Sequence, residues 1–164
     1  MKNDAMRQQL IQLGNGAHAL ATQMLGNSDE AIDAVHDVFV KVLNKPQAYN
    51  AGKGSLSPWF LRIVRNHCID LIRRRRPGTV DVDELRHPGP GPDRSLELSQ
   101  RDQELQNALM SLSTDQRQII ILRDYLDLAY AEIAEVLDIA PGTVMSRLHR
   151  ARLALKEELT ANGY

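Results

Sequence analysis

Residues 130–155 read YAEIAEVLDIAPGTVMSRLHRARLAL, and the punctuation of this stretch decides how the C-terminal part of the chain folds. YAEIAEVL has the pattern of a short amphipathic helix. Asp138, Ile139 and Ala140 are too few to form anything but a turn. Pro141 suits the first position of a new helix, where its fixed φ fits and its missing N–H is not needed. Two helices joined by so short a turn make a helix-turn-helix. In the second helix Val144, Leu148, Ala151 and Leu155 fall on one face, which the helical period directs toward a core. The other face presents Met145, Ser146, Arg147, His149, Arg150 and Arg152 and carries no carboxylate. A helix matches the width of the DNA major groove, and arginine pairs there with guanine edges or phosphate oxygens. A carboxylate at this place would repel phosphate. The hydroxyl expected before each helix is replaced by Ala129 and Ala140, a change that typically costs about 0.5–2 kcal/mol.

Upstream of this unit, Ser113, Thr114, Asp115 and Gln116 form a capping-box pattern ahead of IIIL, which predicts a helix over about residues 114–124. Further back, residues 77–94 read PGTVDVDELRHPGPGPDR and hold four of the seven prolines. The run HPGPGP fits neither a helix nor an interior strand, so this segment is a flexible linker. It divides the chain into units of residues 1–76 and 95–164.

In the first unit, Gly26 reads as a helix stop and Asn27 as the next N-cap, with Glu30 placed to return a hydrogen bond. Ile32, Val35, Phe39 and Val42 recur at helical spacing and predict the buried stripe of this helix. Asp29, Asp33 and Asp37 stack on another face. NKPQAYNAGKGSLS is a loop, after which Ser57 and Pro58 predict the start of a further helix. That helix runs through WFLRIVRNHCIDLIRRRR. Its positions Phe60 or Leu61, Val64, Cys68 and Leu71 or Ile72 face inward, leaving Arg62, Arg65, Asn66, Asp70 and Arg73 outside and a basic end at Arg74 to Arg76.

The expected fold class is therefore all-α: two small helical domains joined by a Pro/Gly-rich linker, the C-terminal one containing the helix-turn-helix. Composition agrees, since apolar residues make up 43% of the 164-residue chain but aromatics only 4%, and repeated strand-turn signals are missing. The formal charge of -1 averages over segments of opposite sign, so it does not exclude an anionic partner. No window is long and apolar enough to span a membrane, and the N-terminus lacks the apolar core of a signal peptide, which predicts a cytoplasmic protein without membrane insertion. Cys68 is the single cysteine, and its apolar neighbours make it a core residue. No metal site or cofactor is expected. The histidines are scattered and GKGS at residues 52–55 lacks the earlier glycine of a phosphate loop, so an enzyme is not expected.

EAIDAVHDVFVKVL, then GSLSPWFLRIVRNHCIDLIRRRR, then LMSLSTDQRQIIILRDYLDLAYAEIAEVLDIAPGTVMSRLHRARLAL together resemble an extracytoplasmic-function (ECF) sigma factor of bacteria. The likeness covers most of the chain, with the motifs in the family's order and the linker in its place. It implies that residues 1–76 are sigma region 2 and residues 95–164 sigma region 4. It further implies a promoter-recognition subunit of RNA polymerase, without catalysis of its own. By this resemblance Asp33, His36 and Asp37 would dock on the clamp helices of the β′ subunit. Lys53, Ser55, Leu56, Trp59, Arg62, Asn66 and Asp70 would hold the melted non-template strand of the downstream (-10) element. Met145, Ser146, Arg147, His149 and Arg150 would read the duplex upstream (-35) element, with Arg152 on phosphate, and region 4 would touch the β flap. An anti-sigma factor is the further partner implied. Met145 and His36 depart from the residues common at these places in the family. Two other functions fit parts of the pattern: a helix-turn-helix regulator acting without core polymerase, and an interaction protein that mimics a sigma factor.

Overall fold

The computed structural model of the chain describes residues 2–75 and 99–161. The linker assigned to residues 77–94, and Arg76 at the end of the basic run, lie outside the described residues. Every regular element among the described residues is helical. Helices α1 (Lys2–Leu25) and α2 (Ser28–Asn44) are followed by two 3₁₀ turns (Pro46–Ala48 and Ala51–Lys53) and α3 (Leu56–Arg75). Then come α4 (Gln100–Met110), α5 (Thr114–Ile120) with a π-helical turn at its end (Ile121–Tyr125), α6 (Tyr130–Leu137) and α7 (Pro141–Ala161).

The local signals explain most boundaries. Gly26 leaves α1 at φ 75°, a conformation that suits glycine, and Asn27 then caps α2 by accepting from the Glu30 N–H at 3.0 Å. Glu30 pairs with Arg75 at the end of α3, an ion pair that fastens the two helices. Ser113 and Gln116 close the predicted capping box at the start of α5. Ala129 offers no side-chain acceptor to α6, but the Glu132 carboxylate accepts from the Ala129 N–H at 2.9 Å, so half of the usual box survives. Asp138 turns the chain between α6 and α7 in the left-handed region, at φ 57°.

Two expectations are corrected. Ile32 is 53% exposed, and the buried stripe of α2 is Ala31, Ala34, Val35, Val38 and Val42, with Phe39 half-buried. Small alanines let α2 lie close to its neighbours and shift the stripe by one position, which carries Ile32 out to the rim. The third long helix begins at Leu56, so Ser57 is not its cap; Pro58 still sits in the first turn, where no N–H is required. The helix predicted to about residue 124 runs to Tyr125, α-helical to Ile120 and π-helical beyond it, where the Leu126 N–H bonds the Ile121 carbonyl at 2.9 Å, five residues back.

Helices α1, α2 and α3 pack on one another, and α5 and α6 each pack on α7. The two groups also meet, α5 on α1 and α6 on α3, so that a single apolar cluster runs from Leu10 and Leu20 through Phe60 and Val64 to Ile133 and Leu148. Cys68 lies wholly inside it, and burial pushes its thiol up to about 12.

Candidate nucleic-acid interface

The helix-turn-helix is built on a dry inner face. Ile133, Val136, Val144, Leu148 and Ala151 are buried, and Leu155 is partly so. That packing fixes the outward face of α7, where Met145, Ser146, His149, Arg150 and Arg152 are exposed and Arg147 is half-buried. Met145 is the most open of the large apolar residues on this helix, at 61%.

The basic residues of α7 are not equivalent. Arg147 donates to Asp115 in the first turn of α5 at 3.4 Å. Arg152 meets Asp124 of the π-turn with both nitrogens of its fork, Nε lying 3.1 Å from Oδ2, and this bond holds its guanidinium above the ordinary arginine pKa. Arg150 and His149 stand clear on the same face. Although α7 itself carries no carboxylate along its reading face, the fold brings two from α5 and the π-turn. No spacing rule links Asp115 and Asp124 to their partners, which lie 32 and 28 residues away, so sequence reading passes over them.

The Arg123 side chain steadies the approach to α6, donating to the Leu128 carbonyl at 2.8 Å and lying 5.1 Å from the ring centre of Tyr130.

The second cluster lies at the start of α3. Tyr49 donates its hydroxyl to the Gly54 carbonyl at 2.8 Å, and its ring packs on Trp59 with centroids 5.0 Å apart. Asn50 accepts from the Gly52 N–H at 2.9 Å and so shapes the 3₁₀ turn that carries Lys53. Tyr49, Asn50, Lys53, Ser55 and Trp59 enclose a hollow of about 100 Å³, which Glu135 of α6 closes from the other side. Of the residues singled out from the sequence, Lys53 and Ser55 are exposed, Trp59 and Arg62 half-buried, and Asn66 and Asp70 exposed further along α3. Leu56 is different: its side chain is buried in the core, because the first residue of α3 points inward. It is a support for the loop and presents no side chain to a ligand. Tyr49 and Asn50 are additions to the set, and their place in a loop rich in glycine and asparagine is the signal that marks them.

The third cluster is the outer face of α2. Asp33, His36 and Asp37 are exposed together, flanked by the exposed apolar residues Ile32 and Val40. Asp37 lies 3.5 Å from His67 of α3. Opposite them Arg74 and Arg75 bound the same open groove, so acid lines one wall and base the other.

Comparison with known proteins supplies the lineage. Residues 11–77 match the family "Sigma-70 region 2" and residues 102–155 match "Sigma-70, region 4". The chain is 32% identical over 89% of its length to ECF RNA polymerase sigma factor SigE of Mycolicibacterium smegmatis, of which it spans 58%. It is 31% identical over 84% of its length to ECF RNA polymerase sigma factor SigM of Mycobacterium tuberculosis, of which it spans 68%. In the crystal structure of the sigma factor RpoE bound to the anti-sigma factor NepR from Bartonella quintana, RpoE superposes with a TM-score of 0.72 at 31% identity, covering 93% of this chain and 95% of RpoE. With both regions in order, the exposed basic helix-turn-helix face and relatives of this kind, the chain belongs to the ECF sigma factors of RNA polymerase.

Proposed function

We propose that this protein directs core RNA polymerase to a set of promoters by three surfaces. The observation that carries the reading is the outward face of α7, where Met145, Ser146, His149 and Arg150 are exposed on a helix-turn-helix whose inner face is buried. On the outer face of α2, Asp33, His36 and Asp37 with their apolar neighbours suit the β′ clamp helices: carboxylates supply attraction to a basic partner and Ile32 and Val40 supply area. At the start of α3, Lys53 and Arg62 track phosphates, Trp59 and Tyr49 offer ring faces, and Ser55, Asn66 and Asp70 offer polar contacts to an exposed base edge. This is the combination that holds a single strand. On α7, His149 and Arg150 reach base edges in the duplex while Arg152 meets phosphate.

In this reading residues 1–76 act as region 2, residues 95–164 as region 4 with a contact to the β flap, and residues 77–94 as the tether between them. The chemistry of RNA synthesis stays with the polymerase, and the protein works in the bacterial cytoplasm. No helix among the described residues is long and apolar enough to cross a membrane, in keeping with that location. An anti-sigma factor is the natural antagonist, by analogy with the partner of RpoE.

The test is run-off transcription from a genomic promoter library with core polymerase, with and without this protein. New transcripts sharing two spaced upstream motifs support the reading. Silence, together with tight duplex binding in the absence of polymerase, would instead identify a regulator that acts alone.

A further inference from the structure

The face that α7 turns outward is divided along its length. Its later turns carry His149, Arg150 and Arg152, all exposed, while its entry presents no exposed charge. Gly142 opens this face: a methyl group built on it would meet nothing beyond its own turn within 4 Å, so the approach to the helix entry is clear. The Ser146 hydroxyl donates to the Thr143 carbonyl at 3.1 Å, which holds its proton within the helix. Arg147 donates to Asp115 at 3.4 Å and is drawn back toward α5. The long side chain left to reach forward from the entry is that of Met145, 61% exposed.

Packing does not account for this residue. Val144, Leu148 and Ala151 close the inner face of α7, and Met145 lies outside the apolar cluster that they join. A helix-turn-helix brings the N-terminal part of its second helix to the base edges, and Met145 stands early in that helix. A thioether has no proton to donate and is a weak acceptor. Set against a polar base edge, it would strip water from that edge and return no hydrogen bond. The major groove offers one apolar group on a base edge, the 5-methyl group of thymine. Methionine is unbranched and polarisable, so it can follow that methyl group without a rigid fit.

We propose that Met145 determines specificity at one position of the upstream element: its thioether seats on the 5-methyl group of a thymine and disfavours cytosine, which presents an amino donor and no methyl group. The proposal rests on the assignment of α7 to duplex DNA. It divides the reading along one helix. Met145 senses an apolar bump near the entry, and His149 with Arg150 sense hydrogen-bonding groups a turn later. An apolar side chain left in water on a basic face thereby acquires a partner.

The test selects duplexes from a randomised upstream element with core polymerase carrying the full chain, as the native protein, Met145→Leu or Met145→Ala. The expected result is a position fixed as thymine with methionine or leucine and open to other bases with alanine. In the selected duplex, replacing that thymine with deoxyuridine removes the methyl group alone. The exchange is expected to weaken binding by the native protein about fourfold, the contribution of one buried methyl group, and to leave the alanine variant unaffected. Equal binding of the thymine and deoxyuridine duplexes by the native protein would overturn the proposal. An unchanged selected sequence with Met145→Ala would overturn it too, and weaker binding of that variant to core polymerase would place Met145 in a protein contact instead. Selection of no upstream sequence by the native protein would overturn the assignment of α7 to the duplex, and the proposal with it.

Discussion

Asp124 and Arg152 face each other across the junction between the π-turn and α7, with Nε 3.1 Å from Oδ2. The pair is about half exposed on each side, so it adds little to stability, on the order of 0–1 kcal/mol. Its effect is on the arginine's availability. A guanidinium that already has a carboxylate must leave it to reach a phosphate. Asp124→Asn is therefore expected to raise affinity for a mixed-sequence duplex and to steepen the dependence on salt by about one unit. Anisotropy titrations over a salt series would show this, with the thermal midpoint nearly unchanged.

Arg150 has no such carboxylate partner among the described residues and stands beside His149 on the exposed face. Replacing Arg150 with alanine is expected to change which bases are preferred, by about 1–3 kcal/mol at one position of the site. Replacing Arg152 should weaken all duplexes by a similar factor. Selection from a randomised upstream element with each variant checks both, and a uniform loss in the two cases would contradict the division of roles.

Much of the fold is legible from local rules. The turn at Asp138 to Ala140, the proline that opens α7, and the Ser113 to Gln116 box are short-range signals, and the structure has each of them. Leu56 and Ile32 escape such rules for a related reason. Periodicity fixes which residues share a face, but neighbouring helices decide which face is buried, and alanines at 31 and 34 allow an approach that aliphatic counting does not anticipate. The partners of Arg147 and Arg152, and the cover that Glu135 places on the loop, depend on how distant segments pack. No pattern within one helix carries that information.

Arg117 is the largest of the fully buried side chains. It donates to the carbonyls of Gln23 and Leu112 and to the hydroxyl of Thr114. Removing a buried, hydrogen-bonded charge strips these acceptors of a donor, and Arg117→Ala is expected to cost about 3–5 kcal/mol. Lysine should recover only part, since a single ammonium cannot match a planar fork set among three acceptors. Urea unfolding monitored by circular dichroism measures both.

Ala129 has the extended backbone of an N-cap, φ -65° and ψ 155°, without the side chain of one. Serine there would accept from the Glu132 N–H and complete the box that Glu132 already half closes. Ala129→Ser is expected to stabilise the protein by about 0.5–1 kcal/mol, read as a shift in the urea midpoint at constant slope.

Cys68 offers a probe that needs no mutation. Burial pushes its thiol from 9.0 to about 12, so the folded state holds the proton more tightly than the unfolded chain. The associated stability is fully present below pH 9.0 and is lost as pH rises from there toward 12. At neutral pH, iodoacetamide should modify Cys68 only through opening of the core, at a rate that rises with urea in step with unfolding. Rapid modification of the native protein would contradict the packing around α3.

The π-turn at Ile121–Tyr125 amounts to a helix that carries one residue more than its ladder uses. Deleting a single residue from it would let α5 continue as ordinary helix, and the change of phase would fall on the residues of the turn itself, Asp124 among them. Asp124 would then leave Arg152. One codon gained or lost here thus loosens or restores a tether on the basic helix without altering any residue proposed to meet DNA, which gives this lineage a way to retune its grip on promoters by changing length instead of letters.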